Sequence, residues 1–188
     1  MKIKEKKFGG LFEIWLEPHE DERGFFMRTN DEKVFKEYGL NKNWVQESES
    51  FSRFKGTVRG MHFQYPPHVE AKAIRVVAGA TFFAFVDLRK NSPTLGKWDS
   101  AILSAEKKNM IIIPRGFANG TCTLSENCTL IYKMDNYFDP ESYDSIKWDD
   151  PDVGIVWPIK NPSVISEQDG KAQSFKEFLK KSGGGLSV

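Results

Sequence analysis

Among side chains able to move a proton near neutral pH, the sequence supplies three histidines, His19, His62 and His68. A metal centre on a β-scaffold draws on two or three histidines plus a carboxylate. None of the three is paired as H-x-H, and His19 and His68 lie in polar, turn-like surroundings. The histidine supply therefore argues against a metal-dependent oxygenase, and no metal site is expected. His62 stands apart, within Val58-Arg59-Gly60-Met61-His62-Phe63-Gln64, which reads as a strand. Strict alternation puts Arg59, Met61 and Phe63 on one face and Gly60, His62 and Gln64 on the other. A lone strand histidine more often completes a core than removes protons, so its neighbours must decide. Three other segments set polar groups beside apolar runs. Asp21-Glu22-Arg23-Gly24-Phe25-Phe26 is a turn before an aromatic pair, and Lys72 precedes an apolar strand that contains Arg75. Ile112 to Gly120 runs from a strand into a glycine-bounded loop carrying Asn119. Each has a plain reading: Arg23 in a surface turn, Lys72 at a sheet edge, Asn119 as a left-handed turn residue. Residue types alone end at a β-barrel of open function.

The elements that must hold these groups are mostly short strands. Ala73–Ala78, Thr81–Leu88, Lys97–Leu103, Met110–Ile113, Gly120–Leu124 and Thr129–Met134 are β-rich runs punctuated by Gly, Pro, Asn and Ser. That spacing predicts an antiparallel sandwich or barrel. Helices are peripheral: Asp31–Tyr38, closed by Gly39, and Ser174–Lys181, whose apolar residues share one face. The absence of long alternating helices, of G-x-G-x-x-G and of a P-loop speaks against a dinucleotide or nucleotide-triphosphate domain. One domain is expected over residues 1–181, with 182–188 as a flexible, glycine-rich tail. A net charge of +1 gives no global pull on nucleic acid or membrane, so anion binding must rely on local basic groups. No apolar run is long enough to cross a bilayer, and MKIKEKKFGG lacks a signal-peptide core. Cys122 and Cys128 flank a plausible turn and read as reduced thiols, and the cytoplasm is the expected location.

Taken in chain order, these segments resemble the dTDP-4-dehydrorhamnose 3,5-epimerase family. The resemblance runs from about Phe8 to about Asp169. It includes Asp21-Glu-Arg-Gly-Phe-Phe, Arg59-Gly-Met-His-Phe-Gln, Ala71-Lys-Ala-Ile-Arg-Val-Val-Ala-Gly and Val86-Asp-Leu-Arg-Lys-Asn-Ser-Pro. Ile113-Pro-Arg-Gly-Phe-Ala, Ile131-Tyr-Lys, Tyr137-Phe-Asp-Pro, Ile146-Lys-Trp-Asp-Asp-Pro and Ile165-Ser-Glu-Gln-Asp follow. It implies an all-β, cupin-like antiparallel barrel or jelly roll with a few short peripheral helices. It also implies a reaction without cofactor on a nucleoside diphosphate 4-keto-6-deoxy sugar. The ketone acidifies the hydrogens on C3 and C5, a base removes one, and an acid returns a proton to the opposite face. Carried over from the family, His62 is the base, Asp169 its carboxylate partner, Lys72 the group that stabilises the enolate oxygen, and Tyr132 the acid. The resemblance assigns Arg23 and Arg59 to the diphosphate, for which guanidinium forks are well shaped. It assigns Phe26, Gln46, Asn119 and Tyr137 to the sugar or base. It further implies homodimers, paired through N-terminal strands for which Phe8–Ile14 is the candidate.

The sequence departs from the family pattern near the expected pocket. Asn119 stands where the family usually has a histidine, Arg28 where it often has a glutamate, and Ser48 where an asparagine is usual. These changes leave open whether C3 and C5 or only C3 is epimerised, and whether the nucleotide is dTDP-, GDP- or CDP-linked. A 3,4-ketoisomerase would call for two neighbouring histidines in the pocket. A non-catalytic sugar-nucleotide-binding barrel would call for a decayed acid–base set, yet His62, Lys72, Tyr132 and Asp169 are all present.

Overall fold

Alternating apolar residues in short runs can be buried only if sheets stack face to face, and this chain builds two such sheets. The computed structural model describes residues 1–40 and 42–188. Its strands are β1 (Lys2–Glu5), β2 (Phe12–Trp15), β3 (His19–Asp21), β4 (Gly24–Phe26), β5 (Gln46–Ser52) and β6 (Val58–Gln64). They continue as β7 (Lys72–Ala78), β8 (Ala80–Asp87), β9 (Trp98–Ser104), β10 (Asn109–Ile113), β11 (Phe117–Thr123), β12 (Cys128–Met134) and β13 (Tyr143–Ser145). Three short helices complete the fold: α1 (Glu32–Glu37), α2 (Glu167–Gly170) and α3 (Phe175–Ser182). One sheet has the order β1-β2-β10-β7-β12-β5, the other β13-β6-β11-β8-β9, and β3 pairs with β4 as a separate hairpin. The ladders within these sheets are antiparallel, in agreement with the all-β, cupin-like expectation. Among the described residues, no helix is long and apolar enough to cross a membrane.

The inner faces of the two sheets meet in one core. Ile74 and Val76 of β7, Ile111 and Ile113 of β10 and Leu130 of β12 pack there against Phe83 and Phe85 of β8 and Leu103 of β9. A second apolar layer covers the outside of the five-stranded sheet, where Met61, Phe63, Ala84 and Val86 meet Phe175 and Phe178 of α3. A third lies outside the six-stranded sheet, where Phe35 of α1 packs near Ile14, Ala73 and Ile112. The helices end where the sequence says they should. Asp31 caps α1, with Gly39 just beyond it at φ 68°, and Ser174 and Glu177 form a reciprocal capping box on α3.

Three expectations change. The glycine-rich end is docked, not loose: Leu186 is 2% exposed, its N–H donates to Leu88 O at 2.7 Å, and Lys90 N–H donates to Leu186 O at 2.8 Å. The leucine side chain and two backbone bonds outweigh the freedom of the glycines before it. Asn119 is no left-handed turn residue, because the loop expected around it belongs to β11. The segment Phe8–Ile14 offers no free strand edge. Phe8 and Leu11 are in the core, and β2 is paired on one side with β1 and on the other with β10.

Candidate active site

Strand β6 departs from simple alternation, and the departure creates the site. Against β11, His62 sits opposite Asn119 but Arg59 sits opposite Thr121, so β6 spends one extra residue over that interval. The bulge centres on Gly60, whose φ is 113° and where a Cβ would lie 2.6 Å from Asn119 O. Only glycine fits there. The phase shift turns Arg59 to the same side as His62, correcting the expected opposition of the two, and sends Met61 into the outer apolar layer.

That side is a cavity of about 640 Å³ between the sheets, a size suited to a small-molecule ligand. His62 and Arg59 enter from β6, Asn119 and Thr121 from β11, Lys72 from β7, Tyr132 from β12, and Gln46 and Ser48 from β5. Six of the ten expected site residues thus line one cavity: Gln46, Arg59, His62, Lys72, Asn119 and Tyr132. A seventh, Asp169, stands behind the wall. Its carboxylate accepts from His62 Nε2 at 2.7 Å and from Gly60 N–H at 3.3 Å. Residue 169 reaches that place because Ser166 caps α2, accepting from Asp169 N–H at 3.1 Å. Burial opposes ionisation of Asp169, but His62, Gly60 N–H and Ser166 together hold its carboxyl below the usual carboxylate range. The bond at Nε2 sets the tautomer and leaves Nδ1 as the imidazole's free base.

Lys72 is not a solvated edge residue. Strand β7 lies between β10 and β12, and the Lys72 ammonium pairs with Glu70 at 3.0 Å, with both side chains largely buried. Arg59 donates to Ser52 Oγ and to Phe51 O at 3.1 and 3.0 Å, which aims its guanidinium across the cavity mouth. The Asn119 amide donates to His62 O at 3.1 Å, bracing the strand that carries the imidazole.

Three expected residues lie outside the cavity in this chain. Arg23 and Phe26 sit on the exposed β3–β4 hairpin, where Arg23 pairs with Asp21 and Phe26 is 68% exposed. Tyr137 is displaced by one position, because two glutamines fix the segment after β12. Gln64 donates to Tyr137 O and accepts from Asp139 N–H, while Gln46 accepts from Phe138 N–H at 2.6 Å. Held this way, Phe138 turns to the cavity and Tyr137 to solvent. The residues that sequence reasoning missed are Glu70, Phe138 and Tyr143. The only sequence signal was an aromatic two residues before Ser145, in a strand too short to read. Among the described residues, no cluster of His, Cys, Asp or Glu is placed to hold a metal ion.

A base with a buried carboxylate partner, a cation and a phenol facing it across a cavity can take a proton from carbon and stabilise the resulting oxyanion. Comparison with known proteins points the same way. The family model described as dTDP-4-dehydrorhamnose 3,5-epimerase matches residues 5–177. The dTDP-4-dehydrorhamnose 3,5-epimerase of Shigella flexneri is 43% identical, over 82% of this chain and 85% of its own. That of Methanothermobacter thermautotrophicus is also 43% identical, over 89% and 91%. The crystal structure of dTDP-6-deoxy-D-glucose-3,5-epimerase from Legionella pneumophila, in complex with dTDP-4-keto-L-rhamnose, superposes with a TM-score of 0.92 at 34% identity, over 100% of this chain and 98% of that one.

Proposed function

Because this chain belongs to the dTDP-4-dehydrorhamnose 3,5-epimerase family and is an isomerase, we propose that it inverts C3 and C5 of dTDP-4-dehydro-6-deoxyglucose through an enolate. The observation that carries this reading is the His62–Asp169 contact at 2.7 Å beside a cavity that also holds Lys72 and Tyr132. His62 Nδ1 takes the proton from the carbon next to the ketone, and Asp169 stabilises the imidazolium that forms. Negative charge moves to the 4-oxygen, where the Lys72 ammonium offsets it. His62 and Tyr132 belong to opposite sheets, so a proton leaves one face of the sugar toward His62 and returns to the other from the Tyr132 phenol. The tyrosinate then recovers a proton from solvent and His62 releases the one it took. The sugar is inverted with no net change in protons or electrons. Acid–base catalysis of this kind contributes about 10²–10⁴-fold.

Arg59 at the mouth, by the Ser52 end of β5, holds the diphosphate, and Phe138, held at the Gln46 end of the same strand, offers a ring for the base. Arg23 and Phe26, which lie outside this cavity, share in binding when the hairpin that carries them comes from a second copy of the chain. Such a homodimer has to form without strand addition at β2. The enzyme thus serves deoxysugar biosynthesis, and its test is proton NMR of dTDP-4-dehydro-6-deoxyglucose incubated with the protein in D₂O. Loss of both the C3 and C5 proton signals supports the 3,5-epimerase. Loss at C3 alone reassigns it as a single-site epimerase, and loss at neither, with GDP- and CDP-linked sugars also inert, overturns the reading in favour of a binding protein.

A further inference from the structure

The cavity holds a second phenol besides Tyr132. Tyr143 lies on β13, which pairs with β6 so that Ser145 faces His62 and Tyr143 faces Gln64. Its ring is therefore a diagonal neighbour of the imidazole, with ring centroids 5.3 Å apart and planes at 49°. Phe138 packs on its other side at 5.5 Å.

The two cations and the Asn119 amide of the cavity are already engaged. Lys72 faces Glu70 at 3.0 Å, Asn119 donates to His62 O, and Arg59 donates to Ser52 and Phe51. Among the described residues, the Tyr143 hydroxyl has no protein partner. With its charge shared with Glu70, the Lys72 ammonium is weakened as the sole stabiliser of a developing oxyanion.

We propose that Tyr143 is a further catalytic residue, a neutral hydrogen-bond donor to the sugar's 4-oxygen as the enolate forms. The assignment rests on the epimerase reading above. It separates the jobs of the two phenols. A general acid must release its proton, whereas Tyr143 is poorly placed to do so. Burial first, and then the nearby Asp169, Tyr132, Glu70 and Asp144, push its phenol well above the usual tyrosine range. It also stands on the same sheet as His62, so it cannot supply the opposite face. It keeps its proton and lends it to the oxyanion, while Tyr132 delivers one to carbon.

The test compares wild type, Tyr143→Phe and Tyr143→Leu by C3 and C5 exchange in D₂O and by dTDP binding. Tyr143→Phe keeps the ring against His62 and removes only the hydroxyl. Its kcat should fall about 10²-fold, with KM little changed. Affinity for dTDP, which has no 4-oxygen, should stay at the wild-type value. Wild-type exchange in Tyr143→Phe, with loss only in Tyr143→Leu, would reduce the residue to packing and overturn the proposal. Loss of dTDP binding together with exchange in Tyr143→Phe would overturn it as well, since the hydroxyl would then shape the whole cavity. A wild type inert on every nucleotide sugar would instead refute the epimerase reading, and this assignment would fall with it.

Discussion

Replacing Asp169 with asparagine exchanges one carboxylate oxygen for an NH₂ group, and the structure says what that oxygen does. One carboxylate oxygen accepts from His62 Nε2 at 2.7 Å and the other from Gly60 N–H at 3.3 Å, in a side chain that is 6% exposed. An amide has one acceptor oxygen, so the substituted side chain can serve the imidazole or the Gly60 N–H but not both. Either choice turns an NH₂ toward a donor. If it faces the ring, it forces the other tautomer and puts N–H, not a lone pair, into the cavity. If it faces Gly60, a buried backbone donor is left without a partner. In both cases the charge that stabilises the imidazolium is gone. A hydrogen bond to a charged group contributes about 1.5–3 kcal/mol, and about 1.4 kcal/mol is tenfold in rate. Exchange by Asp169→Asn should therefore fall about 10–10²-fold from charge loss alone, and further if the tautomer inverts. The assay is the D₂O exchange rate at saturating sugar nucleotide, with a urea titration to show that the variant is folded. A folded Asp169→Asn with a rate within about twofold of wild type would refute the dyad, because the predicted loss is several times larger.

Two stability predictions follow from the same geometry. Asp87 is fully buried; burial opposes its ionisation, but the Arg89 fork and the Thr94 and Ser92 hydroxyls hold its carboxyl below the usual range. A carboxyl depressed in the fold stabilises it above the unfolded value, about 3.9. That contribution is lost as pH falls from there through the folded value. The urea midpoint should therefore hold steady down to about pH 5 and drop below about pH 4. Asp87→Asn should be less stable at neutral pH and show a shallower acid drop, and an unchanged acid slope would contradict the assignment. Leu186→Ala should cost about 2 kcal/mol in urea unfolding, because its side chain is buried in the apolar layer outside the five-stranded sheet; a cost below about 0.5 kcal/mol would mean that the tail is loose after all.

Strands with an apolar face or an unbroken apolar run could be read from the sequence because that pattern survives in it. Thr81–Leu88 and Thr129–Met134 fall on β8 and β12, and both helices fall where their caps predict. Strand β5, Gln46-Glu-Ser-Glu-Ser-Phe-Ser, could not be read this way. Gln46, Ser48 and Ser50 face the wet cavity while Glu47 and Glu49 face solvent, so no apolar alternation marks it. Arg59 was placed on the wrong face because a bulge leaves no trace in composition beyond one glycine, and Gly60 reads equally well as a packing residue. Phe138 lines the cavity where Tyr137 was expected, because the choice rests on Gln46 and Gln64, 92 and 75 residues distant from the N–H groups they accept from. The His62–Asp169 contact spans 107 residues and ends in a four-residue helix. No local pattern reveals such a pair, and it entered the reading only through the ordered resemblance of the motifs around it. Asn119, which stands where the family usually has histidine, turns out to brace the backbone of His62 from the neighbouring strand. An amide can do that and a proton shuttle is not needed for it.

The role of His62 as the carbon base is tested most directly by proton NMR in D₂O on dTDP-4-dehydro-6-deoxyglucose, comparing wild type with His62→Ala. Wild type should replace the protons at C3 and C5 with deuterium. His62→Ala should lose exchange at both carbons by about 10²–10⁴-fold while still binding dTDP. Exchange by His62→Ala at the wild-type rate would contradict the mechanism and place the base elsewhere in the cavity.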